Sequence, residues 1–259
     1  MRNPRRKTRS KHATSSVVRR LGTPLLVLLV APVAEAGIFD VGSTGTAQTL
    51  EVKAKFYSTR GTDKQTWKLP GLSVSGPITD HLEWGFGTGY GVIEHTAAPD
   101  RHGWRDLGVA LKWRFLDHSD SSGLTMGIEP EFSLPVGDES AGTGAGAVAF
   151  ALPLRISKKT GRVRVTGEVS AEHLFGRDED SVGAGVLTEY TLAPAWSVGI
   201  ELVADAPRSQ LSDSHLRSNI GFKWEPNPHF QVQGLVGRSI DNRRGGPVTN
   251  VGILFEYHR

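Results

Sequence analysis

The sequence predicts an all-β chain folded as an antiparallel up-and-down transmembrane β-barrel of about twelve strands. Three observations carry that expectation. In the stretch 104–117, Leu107, Val109, Leu111, Trp113 and Phe115 alternate with Asp106, Gly108, Ala110, Lys112 and Arg114, so one face seeks hydrocarbon and the other water or counter-charge. No segment of comparable length has a helical period. The connectors between alternating segments are by turns short and long, as expected of a barrel with tight turns at one rim and larger loops at the other.

The chain has 259 residues, with 30 Lys and Arg against 27 Asp and Glu. The basicity is concentrated at the start. Arg2, Arg5, Arg6, Lys7, Arg9, Lys11, Arg19 and Arg20 precede an apolar run from Leu21 to Val33, and Ala34-Glu35-Ala36 supplies a small-x-small site before Gly37. This pattern is that of a secretory signal, 1–36, cleaved between Ala36 and Gly37. The apolar run is too short for a spanning helix, which needs roughly 20 residues. Without 1–36 the net charge turns from +3 to about −4, so a nucleic-acid partner is not expected. The chain has no cysteine, and an exported protein without disulfides depends on its own hydrogen bonding and burial.

A short periplasmic segment is expected over 37–48, and the barrel over 49–259. Strands are expected near 49–58, 66–76, 81–92, 106–116, 123–134, 146–156, 163–174, 182–192, 196–205, 216–224, 229–239 and 248–258. Alternation is cleanest where Leu82, Trp84 and Phe86 face Glu83, Gly85 and Gly87, and where Leu124, Met126 and Ile128 face Thr125, Gly127 and Glu129. It is equally clear in Val148, Phe150, Leu152, Leu154 and Ile156, and in Val251, Ile253, Phe255 and Tyr257. Short connectors fall at 76–80, 117–122, 157–162, 193–195 and 225–228, and carry turn residues such as Ala-Pro and Pro-Asn-Pro. Longer ones fall at 59–65, 93–105, 135–145, 176–181, 206–215 and 241–247. Pro70, Pro130 and Pro153 lie within or near strand ends, where a closed wall has no free edge for a residue lacking an N–H.

Alternation alone does not separate a barrel from a soluble sandwich. Aromatic position does. Threading the strands up and down brings Trp84, Phe86, Trp113, Phe115, Tyr190, Trp196, Phe222, Trp224, Phe230, Phe255 and Tyr257 to one end, beside the short turns. That is a girdle at a membrane interface. Phe56, Trp67, Tyr90 and Phe132 form a sparser ring at the other end. The opposite face lines the lumen with Glu51, Lys53, Lys55, Glu83, Lys112, Arg114, Glu129, Glu131, Arg155, Arg164, Glu168, Glu189, Glu201, Arg217, Lys223 and Glu256. Interspersed acids and bases predict ion pairs across a narrow or closed lumen.

Three patches resemble the outer-membrane protein family associated with the meta-pathway of phenol degradation. Pro77-Ile-Thr-Asp80 leading into His81-Leu-Glu-Trp-Gly-Phe-Gly87 is similar to that family's turn and strand. Asp106-Leu-Gly-Val-Ala-Leu-Lys-Trp-Arg-Phe-Leu-Asp117 resembles its Asp/Lys/Arg-Phe-Leu strand. Pro130-Glu-Phe-Ser-Leu-Pro-Val-Gly-Asp138 resembles its Ser-Leu-Pro-Thr-Gly-Asp strand and loop, with Val136 in place of Thr. The resemblance spans about 45–259 and implies a transporter in the bacterial outer membrane for small hydrophobic or aromatic molecules. Its motifs are structural and do not name the solute.

Other motifs give weaker leads. Gly85–Gly91 and Gly142–Gly146 look like phosphate-cradling loops, but no helix follows either. Beyond His12 in the expected signal, the histidines are scattered at 81, 95, 102, 118, 173, 215, 229 and 258, without a metal pair on one strand face, and neither metal nor cofactor is expected. Ser170 and His173 invite comparison with a lipid hydrolase, yet residues three apart on a strand face opposite ways, so no catalytic residue is assigned. The charged loops 176–180 and 241–244 suit solvent, or lipopolysaccharide phosphates through Arg243 and Arg244. The expectation is therefore a passive channel and not an enzyme, with outer-membrane lipids and a small solute as partners and the oligomeric state open. A lipid hydrolase, or an adhesive or structural barrel working through its loops, is the alternative.

Overall fold

A computed structural model describes residues 37–259; the expected signal 1–36 lies outside the described residues, as does Ala36 of the cleavage pair. Fourteen β-segments follow one another without a helix among the described residues. They are β1 (Glu51–Arg60), β2 (Lys64–Thr79), β3 (Leu82–His95), β4 (Arg101–Trp104), β5 (Leu107–His118), β6 (Leu124–Ile128) and β7 (Glu131–Leu134). Then come β8 (Ala149–Thr160), β9 (Val163–Leu174), β10 (Ser181–Ala193), β11 (Trp196–Pro207), β12 (His215–Asn227), β13 (Phe230–Asn242) and β14 (Thr249–His258).

Segments β4 and β5 make one wall strand, since both pair with β3 and the backbone between them stays bonded through Arg105 N–H to Gly89 O at 2.8 Å. Segments β6 and β7 make another, both lying between β5 and β8. The wall thus has twelve strands, every neighbouring pair antiparallel, and β1 pairs with β14 from Glu51↔His258 to Arg60↔Thr249 to close it. Closure removes the free edges that an open sheet would expose.

The prolines sit where the ladder is already irregular. Pro130 falls in the break between β6 and β7, and its carbonyl accepts from Leu111 N–H at 3.1 Å. Pro70 lies in the register shift of β2 between Lys68 and Gly71. Pro153 keeps its place opposite Ser170, and its carbonyl accepts from Glu129 N–H at 3.2 Å.

Several strands reach beyond their expected ends. The connector expected over 93–105 shrinks because β3 runs to His95 and β4 starts at Arg101, and the link from β1 to β2 shortens to 61–63. The remaining long loops gather at one rim, hereafter the loop rim, and the other five connectors form the turn rim.

The outer face is apolar. Trp113 is 49% exposed, Tyr257 51% and Ile200 58%, among a continuous belt of Val, Leu, Ile and aromatic side chains. A soluble monomer rarely shows so large an apolar surface. Rings beside the turn rim pack on one another: Trp196 stacks on Trp224 with centroids 5.6 Å apart, and Trp113 meets Phe115 edge-on at 5.7 Å. The buried hydrophobic cluster lies inside the barrel. Ile38, Phe39 and Val41 pack there against Leu187, Val203, Leu235 and Leu254, with Tyr57 at the edge.

Candidate functional site

The segment 37–48, expected as a periplasmic extension, lies within the lumen as an inner strap. Outside any strand, its backbone N–H groups have no ladder to join, and a buried donor without a partner costs about 1–3 kcal/mol. Lumen side chains supply the acceptors. Ile38 N–H donates to Gln233 Oε1 at 3.1 Å, Val41 N–H to Glu201, Gly42 N–H to Glu168 at 3.0 Å and Ala47 N–H to Glu83 at 2.7 Å. Thr44 and Thr125 share a hydroxyl hydrogen bond of 2.6 Å, and Thr46 donates to Asp80 O at 2.7 Å.

The wall is shaped for this strap. A Cβ at Gly199 or Gly221 would lie 2.8 Å from the Phe39 ring, and one at Gly252 would lie 2.8 Å from Ile38 Cδ1. Gly185 similarly makes room for Val41. In the strap itself, Gly42 lies flat under the Arg155 guanidinium, where a Cβ would collide with it. Burying Ile38, Phe39 and Val41 contributes roughly 1.5–3 kcal/mol each. Ordering backbone costs roughly 1–2 kcal/mol per residue, so the hydrogen bonds to charged groups must supply much of the remainder.

Of the residues expected to line the lumen, Lys53, Lys55, Glu83, Lys112, Glu129, Glu131, Arg155, Glu201 and Glu256 are buried. The lumen charges gather into four groups. Lys112 Nζ lies 3.8 Å from both Glu83 and Glu129, Arg155 joins Glu129, and Arg155 Nε donates to Glu168 at 2.6 Å. Lys53 Nζ bridges Glu51 at 2.8 Å and Glu256 at 3.1 Å beside the seam. Arg217 binds Asp40 of the strap at 2.9 Å and Asp205 at 3.0 Å. Lys223 pairs with Glu189 at 2.7 Å. Two predicted residues do less across the lumen. Arg114 turns to the rim, holding Asp117 at 3.2 Å and Asp80 O at 2.8 Å. Among the described residues, Arg164 contacts no carboxylate.

Glu51, Glu256 and His258 lie close enough for their ligand atoms to share an ion. The Lys53 ammonium already sits between the two carboxylates, so the local charge has its cation. Ser170 is on the inner face and His173 on the outer, so they form no nucleophile–base pair; His173 Nδ1 instead bonds Asp180 at 2.6 Å. Arg244 is not free for lipopolysaccharide either: it turns onto Asp205, bonding its carboxylate and its carbonyl oxygen. Arg243 pairs with Asp241 at 3.2 Å.

Two cavities flank the strap and its ion pairs. At the turn rim, one of about 400 Å³ is bounded by the strap from Gly37 to Ser43, by the ends of β8–β13, and by Lys159, Arg162, Arg164, Glu189 and Lys223. At the loop rim, one of about 290 Å³ lies under the loop 135–148, among Ile93, Arg105, Leu174 and Arg177. Buried Asp106 latches that loop, accepting from Gly137 N–H at 2.9 Å and Ala145 N–H at 2.7 Å. Asp138 at the loop's bend is held below the usual carboxylate range by hydrogen bonds from Ser140 and Ala141 N–H. The two cavities share no lining residue.

Sequence reading missed the strap and its socket. The signal was present: Leu187, Val203, Leu235 and Leu254 are apolar at inward positions, and inward glycines recur on the same strands. A water-filled lumen gives no reason for either.

No protein-family profile and no curated protein matches the chain. Solved structures do. The fold is similar to that of solved outer-membrane barrels. The COG4313 outer membrane channel from Pseudomonas putida F1 superposes with a TM-score of 0.66 at 15% identity, over 83% of this chain and 98% of that one. The translocator domain of autotransporter NalP from Neisseria meningitidis gives 0.55 at 10% identity, over 83% and 90%. The NanC porin gives 0.55 at 8%, over 80% and 99%. At such identities the likeness establishes the fold, and substrates do not transfer with it.

Proposed function

We propose that this chain is a channel of the bacterial outer membrane for passive uptake of small hydrophobic or aromatic molecules, with the strap as its gate. The observation that carries the reading is the closed twelve-strand wall, apolar outside, around a lumen that holds a cavity at each rim and is filled between them. Two channels or porins share the architecture, which supports the reading. The solute class rests on the three patches that resemble the phenol meta-pathway family, and the apolar surface of Ile38, Phe39 and Val41 suits such cargo.

In this reading the signal 1–36 is removed on export, the belt sits among outer-membrane lipids and lipopolysaccharide, and the loop rim faces outward. Nothing in the lumen couples to an energy source, so flux follows the gradient. A solute arriving at the loop rim meets a filled cross-section and passes only when the strap withdraws from its glycine socket. Purified full-length chain and a variant lacking 37–48 are compared by planar-bilayer conductance and liposome swelling with phenol. The expected result is small, fluctuating conductance for the intact chain and larger, steadier conductance for the variant. Absence of both current and solute flux in both proteins removes the channel reading.

A further inference from the structure

The turn-rim cavity differs from the rest of the lumen in its charge. In the β8–β9 hairpin, Lys159 stands directly opposite Arg164, and both line the cavity. Like charges directly opposite destabilise a sheet. Arg164 has Glu189 as its partner position on β10, but that carboxylate is 2.7 Å from Lys223 Nζ. Arg162, in the turn between the two strands, adds a further cation to the same wall.

Among the described residues, the side chains of Lys159, Arg162 and Arg164 have no ion-pair or hydrogen-bond partner. Elsewhere in the lumen Lys53, Lys112, Arg155, Arg217 and Arg244 each hold at least one carboxylate. Of the two acids that line the cavity, Glu189 is paired with Lys223, and Glu225 keeps its charge while accepting a hydrogen bond from Gln231, so the four cations Lys159, Arg162, Arg164 and Lys223 outnumber the acids. Placing three unpaired cations on one concave surface costs repulsion that a bound anion would relieve.

The facing surface is of another kind. Phe39 and Val41 of the strap and Leu187 of β10 line the same cavity, with Lys223 Nζ 5.8 Å from the Phe39 ring centre. At about 400 Å³ the space falls within the range typical of small-molecule sites. We propose that this cavity binds a small organic anion, its carboxylate held by Lys159, Arg162 and Arg164 and its apolar body set against Phe39, Val41 and Leu187. The role as a solute site rests on the channel reading; the binding itself does not.

The test uses the full-length protein in detergent and isothermal titration with benzoate, inorganic phosphate and benzyl alcohol. Benzoate is expected to bind most tightly, because it alone offers both the charge and the ring. In the double variant Lys159→Gln, Arg164→Gln, benzoate affinity should fall about ten-fold or more, the loss expected for charge-assisted hydrogen bonds. Lys158→Gln, on the outer face of the same strand, should leave it unchanged. Heat-dependent gel mobility confirms that each variant is folded. Phosphate binding as tightly as benzoate overturns the apolar half of the assignment. Equal binding of benzyl alcohol and benzoate, or unchanged affinity in the folded double variant, overturns the site. Benzoate binding without either conductance or solute flux refutes the channel reading and leaves the site standing, whereas conductance or flux without benzoate binding does the reverse.

Discussion

On the β10–β14 side of the lumen, glycines at 185, 199, 221 and 252 clear space into which Ile38, Phe39 and Val41 fit, while on the β3–β9 side Glu83, Lys112, Glu129, Arg155 and Glu168 reach inward and pair. The first surface recognises shape. Its contacts are dispersion and area, which fall away gradually as a group is trimmed. The second recognises charge in a poorly solvated space, where losing one partner strands another. The strap touches both, through Ile38 and Phe39 on one side and through Gly42 and Ala47 on the other. If the strap is the gate proposed above, it leaves the apolar socket while the ion pairs keep the wall rigid.

The contrast can be broken first at its charged half. Arg155→Met removes the cation shared by Glu129 and Glu168 and should destabilise the barrel by about 3–5 kcal/mol, as for other buried pairs broken from one side. Urea or thermal unfolding in detergent measures it, and a loss below about 1 kcal/mol would show that water reaches these carboxylates. Phe39→Ala comes next. It should weaken strap docking by about 3–5 kcal/mol and leave wall stability little changed. The readout is open probability in bilayers together with the unfolding midpoint; a lowered midpoint with unaltered gating contradicts the division of labour. Gly199→Ala approaches the same ring from the wall, with Phe39 as its first contact, and should cost roughly 1–3 kcal/mol of docking through overpacking, again seen as more frequent opening.

The smallest effect concerns pH and the loop rim. Asp180 is held below its ordinary value of 3.8 by its hydrogen bond with His173, with Arg208 adding to the effect. A depressed carboxylate contributes order that is fully present above its unfolded value and lost as pH falls through its folded one. Loop 175–180 should therefore be protected at neutral pH and become more open to proteolysis below pH 3.8. His173→Ala should flatten that dependence, and a variant with the wild-type acid profile would remove Asp180 from its explanation.

Much of the wall was readable because a strand makes each residue declare a face. Trp113 and Lys112 are neighbours in sequence yet stand on opposite sides, one in the outer girdle and one among Glu83 and Glu129. Glu83, Lys112 and Arg155 are buried at positions that parity marks, whereas Asp205 and Lys159, also on inward positions, were passed over. What parity does not encode is which charge meets which: Arg114 and Lys112 share a face, but Arg114 turns to Asp117 and Asp80 at the rim. Pro130 reads as a defect until β6 and β7 separate around it. Ile38-Phe39-Asp40-Val41 is too short to show a period, and its burial depends on glycines more than a hundred residues away. The cavity of unpaired cations was equally hidden, since the count of charges on a face does not reveal that Lys223 has taken Glu189 from Arg164.

The strap also fixes an order of events in assembly. Ile38 donates to Gln233 across 195 positions of sequence and packs on Leu254 of the closing strand, so the first described residues made by the ribosome bind to nearly the last. Contacts so distant form late, after the intervening chain has been organised. Until β13 and β14 arrive, Ile38 lacks Gln233 and the apolar cluster lacks Leu235 and Leu254. In the outer-membrane reading proposed above, these apolar side chains would stay partly uncovered until the seam between β1 and β14 shuts.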